Sequence, residues 1–205
     1  MGENGDNSND QQASQTDYAG RLIILSGPSG VGKTTVLKQL FATCPIPLVE
    51  SVSATTRPQR PGETEGKSYY FIDDQEFQQR RADGDFLECV EVFGRGFWYG
   101  TLKQTVTSGL EAGNWILLEV DVEGCEKVLE FYPGTITIFI HPGSREELER
   151  RLRSRGTETE DIVKRRLEVA QRELDASASY KHIVINQSVE QTAADICKIL
   201  QQAEN

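Results

Sequence analysis

Apolar residues gather in four short runs, "RLIILS", "WILLEV", "ITIFI" and "HIVI", each bounded by polar or turn-forming residues. Runs of this length read as buried strands, predicting strands at Leu22–Leu25, Trp115–Val120, Ile136–Ile140 and Ile183–Ile185. Between them the apolar period lengthens to that of a helix, over Thr34–Ala42, Leu102–Ala112, Glu123–Phe131 and the segment after Val189. Strands alternating with helices imply a parallel sheet covered by helices. "SREE" at 144–147 and "TETE" at 157–160 both fit a capping box, so helices are expected to start after Ser144 and near Thr157–Thr159, with the basic segment between them forming a helical hairpin. Residues 1–19 are polar and almost free of aliphatic side chains, the composition of a disordered tail. The opening "MGENGD" lacks the Ser or Thr of a myristoylation signal.

With 205 residues the chain is long enough for one well-buried core, and its mean hydropathy of -0.48 suits a soluble globular protein. No apolar run approaches the ~20 residues of a membrane span. A formal net charge of -10 argues against broad attraction to nucleic acid or anionic lipid, so neither is expected as a partner. Any anionic ligand has to meet a local cationic pocket. Cys44, Cys89, Cys125 and Cys197 form no CxxC pair, and only His141 and His182 could join them at a metal. Together with the absence of an apolar leader, this favours free structural thiols in a reducing cytoplasm.

The strongest chemical signal is "GPSGVGKT", Gly27 to Thr34, which follows an apolar strand, opens an amphipathic helix and matches G-x-x-x-x-G-K-[ST] at every fixed position. Gly27, Gly30 and Gly32 let the backbone N–H groups of the loop, including Ser29 and Val31 beside Pro28, turn toward phosphate oxygens at the helix end. Lys33 reaches the β- and γ-phosphates and the Thr34 hydroxyl binds Mg2+; Thr35 completes the expected ATP segment. A plain glycine turn needs neither Lys nor Thr there. Asp121, ending "WILLEVD", is the candidate second metal contact through water, weighed against a strand-terminating Asp that starts a turn.

"SATTRPQRPGETEGKSYY", residues 53–70, sets Arg57 and Arg60 three apart on a backbone stiffened by Pro58 and Pro61. Two planar forks held this way suit one phosphate, with Tyr69 and Tyr99 adding phenolic donors. The competing reading is a solvated loop balanced by Glu63 and Glu65.

These segments, with "DFLE", "YGT", "LLEVDVEG" and "RGTETE" followed by "KRRL", resemble the guanylate kinases in order, from about Arg21 to the C-terminus. The resemblance implies a P-loop nucleoside monophosphate kinase fold of the α/β class: a parallel sheet core over 20–50, 105–143 and 176–205, a GMP-binding insert over 51–104 and a helical lid over 144–175. It implies Mg2+-dependent transfer of the γ-phosphoryl group of ATP to GMP, giving ADP and GDP in purine metabolism. Arg57, Arg60, Tyr69 and Tyr99 then correspond to the monophosphate clamp, and Ser53, Glu88 and Thr101 to the base site, with Glu119 counted in the GMP site. Guanine offers adjacent N1–H and N2–H donors to a carboxylate, whereas adenine would set a lone pair against Glu88. Arg151, Arg155 and Arg166 correspond to arginines that swing onto the phosphates beside Lys33 and Arg57, and Asn186 to a position near adenine. Spacing by itself does not separate these arginines from Arg150, Arg153 and Arg165. "CVEVFGRGFW" is judged two residues longer than the usual family spacing, and "HPGS" replaces the common Pro-Pro-Ser.

Two rivals stand beside this reading. Guanylate-kinase-like scaffold modules bind phosphorylated peptides without catalysis, but typically lack an intact phosphate loop. Another P-loop kinase would take AMP, a pyrimidine nucleotide or a small alcohol, against which Glu88, Ser53 and Thr101 argue. No residue can be assigned to the ribose 2′-hydroxyl, so GMP and dGMP stay undistinguished.

Overall fold

The computed structural model describes residues 19–92, 96–153 and 160–204. Almost all of the tail expected at 1–19, the expected helix start at Thr157–Thr159 and Arg155 lie outside them. Five strands form a parallel sheet: β1 (Arg21–Ser26), β2 (Leu48–Glu50), β7 (Trp115–Glu119), β8 (Ile136–His141) and β9 (His182–Ile185), in the order β2-β7-β1-β8-β9. Central β1 is buried on both faces, which its sequence encodes directly. Ile23 and Leu25 join one core with Leu117 and Ile138, while Leu22 and Ile24 join another with Ile116, Leu118 and Phe139. Alternate side chains of a strand point to opposite faces, so a continuous apolar run needs a helical layer on each side. Helices α1 (Lys33–Thr43) and α7 (Val189–Glu204) supply one layer; α3 (Lys103–Glu111) and α4 (Val122–Phe131) supply the other.

A second, four-stranded sheet has the order β4-β3-β6-β5, from β3 (Ala54–Thr55), β4 (Tyr70–Phe71), β5 (Phe86–Val92) and β6 (Phe97–Leu102). Helix α2 (Asp74–Ala82) closes it by stacking Phe77 on Phe86, ring centroids 4.5 Å apart, and starts at Asp73, whose side chain accepts from the Glu76 N–H. The antiparallel register of β5 on β6 sets Glu88 opposite Thr101.

Helices α5 (Arg145–Arg153) and α6 (Glu160–Ala176) pack on each other through Leu148, Leu152, Val163, Leu167 and Ala170. The first capping expectation holds at Ser144, whose Oγ accepts from the Glu147 N–H at 3.2 Å.

The expectation of four free thiols is corrected here. Cys44 and Cys197 form a disulfide, Cα atoms 5.6 Å apart, while Cys89 and Cys125 are free. The cause is tertiary: α1 and α7 lie side by side on the same sheet face, which brings together two residues 153 apart in sequence. Among the described residues no helix is long and apolar enough to cross a membrane.

Candidate active site

The carboxyl end of β1 runs straight into the phosphate loop, where ligands bind in open α/β sheets. Ser26 Oγ donates to the Val120 carbonyl at 2.8 Å, tying β1 to the segment that leads to Asp121. Gly30 and Gly32 adopt positive φ, and a Cβ on Gly30 would lie 2.6 Å from Leu152 Cδ2. Helix α5 therefore packs directly against the loop, and only glycine permits both the turn and the approach. From below, Asn186 Nδ2 and Arg151 Nη1 donate to the Val31 carbonyl at 2.7 and 2.9 Å, and Arg151 Nη2 donates to the Asn186 carbonyl at 2.8 Å. Asn186 is buried and also accepts from Thr192 at 3.0 Å. In this conformation both expected nucleotide contacts brace the loop.

A cavity of about 660 Å³ opens above it. Gly27, Ser29 and Lys33 line it from the phosphate loop, Ser53, Tyr69, Glu88 and Tyr99 from the second sheet, Glu119 and Asp121 from the end of β7, and Arg166 and Glu173 from α6. Lys33 Nζ donates to the Gly27 carbonyl at 2.6 Å and lies 4.0 Å from Glu119. Burial pushes the Glu119 carboxyl above its ordinary range, against the pull of Lys33. Asp121 caps α4, one oxygen accepting from the Gly124 N–H at 2.7 Å. Thr34 sits exposed in the first turn of α1.

On the opposite wall Glu88, only 8% exposed, accepts from the Thr101 hydroxyl at 2.6 Å. Burial raises its carboxyl above the usual range, with the Thr101 hydrogen bond pulling the other way. Arg57, 6% exposed, sits against Tyr69 and Tyr99: its Nε donates to Tyr99 Oη at 3.0 Å and its guanidinium carbon lies 5.4 Å from the Tyr69 ring centre. Its fork grips Glu63 at 2.8 and 3.0 Å. The Arg60 backbone N–H donates to the same carboxylate at 2.8 Å.

Helix α6 adds residues on one face. Arg166 Nη2 donates to Ser29 Oγ at 2.5 Å, and Glu173, seven residues on, lines the same cavity, where the Ser29 backbone favours its charged form. Burial raises the Glu173 carboxyl to about 7, and among the described residues its buried Oε2 has no hydrogen-bond partner. Sequence reasoning picked out Arg166 and missed Glu173, although the i, i+7 spacing puts both on one helical face.

The guanylate kinase family model matches residues 19–203. A guanylate kinase of Rhodopirellula baltica is 52% identical over 189 residues, spanning 92% of this chain and 90% of that protein. One from Thermobifida fusca is 44% identical over 184 residues, spanning 90% and 92%. The crystal structure of guanylate kinase from Anaplasma phagocytophilum superposes with a TM-score of 0.67 at 34% identity, covering 90% of this chain and 86% of that one. The match runs through both sheets and the helical hairpin, so the phosphate loop and the buried Glu88–Thr101 pair stand within one shared framework: the chain belongs to the guanylate kinase family.

Proposed function

We propose that this cavity joins ATP to GMP and transfers the γ-phosphoryl group between them, giving ADP and GDP. Kinase activity on GMP is the activity of the family, and the observation that carries it to these residues is the shared cavity. A phosphate loop on one wall faces a buried carboxylate–hydroxyl pair on the other. In this reading the Glu88 oxygen not taken by Thr101 accepts from guanine N1–H and N2–H, with Ser53 beside it. Tyr69, Tyr99, Arg57 and Arg60 receive the monophosphate, and Glu119 closes the floor near Lys33. The loop backbone from Gly27 to Thr35 cradles the ATP phosphates, and Lys33 exchanges the Gly27 carbonyl for a phosphate oxygen.

Transfer needs in-line placement and cations around the equatorial oxygens more than a strong base. Arg166 already stands at Ser29, and Arg151 would leave Val31 to join it. We assign 51–104 as the GMP-binding insert and 144–175 as a lid whose closure excludes water and guards ATP against hydrolysis.

The donor set fits Mg2+. Thr34 offers a hydroxyl, Asp121 keeps one oxygen beyond its cap, and no group of three acidic, thiol or imidazole side chains forms a cage among the described residues. Such a set suits a cation that keeps most of its water and comes with the phosphates, held by Thr34 directly and by Asp121 through water. When bound, the ion neutralises phosphate charge.

The substrates place this work in the cytoplasm, where ATP and GMP meet. The Cys44–Cys197 bridge pulls the other way, since reducing compartments keep most thiols free. The test is ADP production with ATP, Mg2+ and each of GMP, dGMP, AMP, CMP and UMP. The expected result is GMP-dependent turnover that Lys33→Ala lowers at least about a hundredfold. A folded protein without turnover on GMP would move the reading to a phosphopeptide-binding module.

A further inference from the structure

Arg57 is short of free donors. A guanidinium has five N–H groups. Nε–H goes to Tyr99 Oη at 3.0 Å, the Nη1 pair to the Pro58 carbonyl at 2.7 Å and to Glu63 Oε2 at 3.0 Å, and one Nη2–H to Glu63 Oε1 at 2.8 Å. Among the described residues, one Nη2–H is left for a ligand. The fork that would grip an oxyanion already holds a carboxylate.

We propose that Glu63 is a positioning residue of the GMP site: its carboxylate fixes the Arg57 guanidinium, and through it orients the Tyr99 hydroxyl toward the monophosphate. Two observations lead there. First, Glu63 knits the loop at three points, because Oε2 also accepts from the Arg60 backbone N–H at 2.8 Å and its carbonyl accepts from Gln59 Nε2 at 2.6 Å. The segment 57–63, with the Arg60 backbone in it, is thereby closed around one carboxylate. Second, Tyr99 lines the cavity whereas Arg57 is buried against it. With its oxygen accepting from Nε, Tyr99 must send its own proton elsewhere, and the open side is the cavity. The phosphate then meets the Tyr99 hydroxyl, Tyr69, the last Nη2–H and Arg60 rather than a bare Arg57 fork. Glu63 acts through Arg57 and touches no substrate.

Glu63→Gln keeps the shape but turns an N–H donor toward a guanidinium N–H, so the pair separates and Tyr99 loses its orientation. This proposal rests on the GMP reading of the cavity, and the assay separates the two. Binding of GMP, of guanosine, which lacks the phosphate, and of ADP is measured by calorimetry for wild type, Glu63→Gln and Glu63→Asp. The expected result for Glu63→Gln is a loss of about tenfold or more in GMP affinity, with guanosine and ADP within about twofold. Glu63→Asp, which retains the charge, recovers part of the loss. An unchanged or tighter GMP affinity in Glu63→Gln overturns the proposal, because the carboxylate would then be only a competitor for the phosphate site. Parallel loss of guanosine binding also overturns it, because the role would be one of folding. Wild type that binds no GMP refutes the GMP reading and this proposal together.

Discussion

Replacing Glu88 by Gln removes one charge and changes one oxygen to an NH2 while the side chain keeps its volume. In the folded protein Glu88 Oε1 accepts from the Thr101 hydroxyl at 2.6 Å, leaving the second oxygen for guanine. Thr101 can reverse its hydroxyl and accept from the new amide NH2, so the amide carbonyl turns to the base. The variant then presents one neutral acceptor where a carboxylate had faced two guanine donors. Hydrogen bonds to charged groups are worth about 1.5–3 kcal/mol, and losing that much lowers kcat/KM for GMP about 10- to 150-fold at about 1.4 kcal/mol per factor of ten. KM for ATP should stay within about twofold, because Glu88 lies on the wall opposite the phosphate loop. Stability should hold or rise slightly, since burial already disfavours the Glu88 charge. Steady-state rates with GMP and ATP varied separately, together with a urea melt, measure all three. A kcat/KM for GMP within about threefold of wild type would refute the assignment of Glu88 to the base.

The Cys44–Cys197 bridge closes a loop of 153 residues, for which chain entropy predicts stabilisation of up to about 5 kcal/mol. Urea melts of the oxidised protein should therefore lie well above those of the reduced protein and of Cys44→Ser; coincident curves would contradict the bridge. Glu173 predicts a pH dependence for the nucleotide-free protein. Its folded carboxyl titrates near 7, so between its ordinary value of 4.5 and about pH 7 the native state holds more of this proton than the unfolded chain does, and stability falls as pH rises. The penalty is absent below about pH 4.5 and full above about 7, at most about 3 kcal/mol and less with partial solvent screening. Glu173→Gln, which keeps the shape of the side chain without its charge, should melt higher at pH 8 and like wild type at pH 4.5. An equal shift at both pH values would point to packing rather than charge.

Elements whose stability is written locally were legible in the chain. The runs at 22–25, 115–120 and 136–140 fall on β1, β7 and β8 because a strand buried on both faces must be continuously apolar, whereas the run at 183–185 falls on the edge strand β9, where Val184 is buried and Ile183 and Ile185 are exposed. The phosphate loop was legible for a similar reason: its glycines, Lys33 and Thr34 are needed by a single turn and its helix end. The second sheet was not read as strands. Ala54–Thr55 and Tyr70–Phe71 are two residues each, too short to show a period, so they become strands by pairing with β6 and with each other.

The sequence by itself determined which local elements form and which chemical groups stand at fixed spacing, because these follow from side-chain periodicity and backbone sterics within a few residues. Tertiary structure decided which groups meet. It paired Glu88 with Thr101 across a ladder, closed Glu63 on Arg57, turned Arg151 and Asn186 under Val31, carried Glu173 to Ser29, and joined Cys44 to Cys197. Most of these contacts span tens of residues or more, and even Glu63 on Arg57, six apart, depends on a turn that no apolar period records. They depend on sheet register and on helices laid across a common face, which arise only when the two cores are packed.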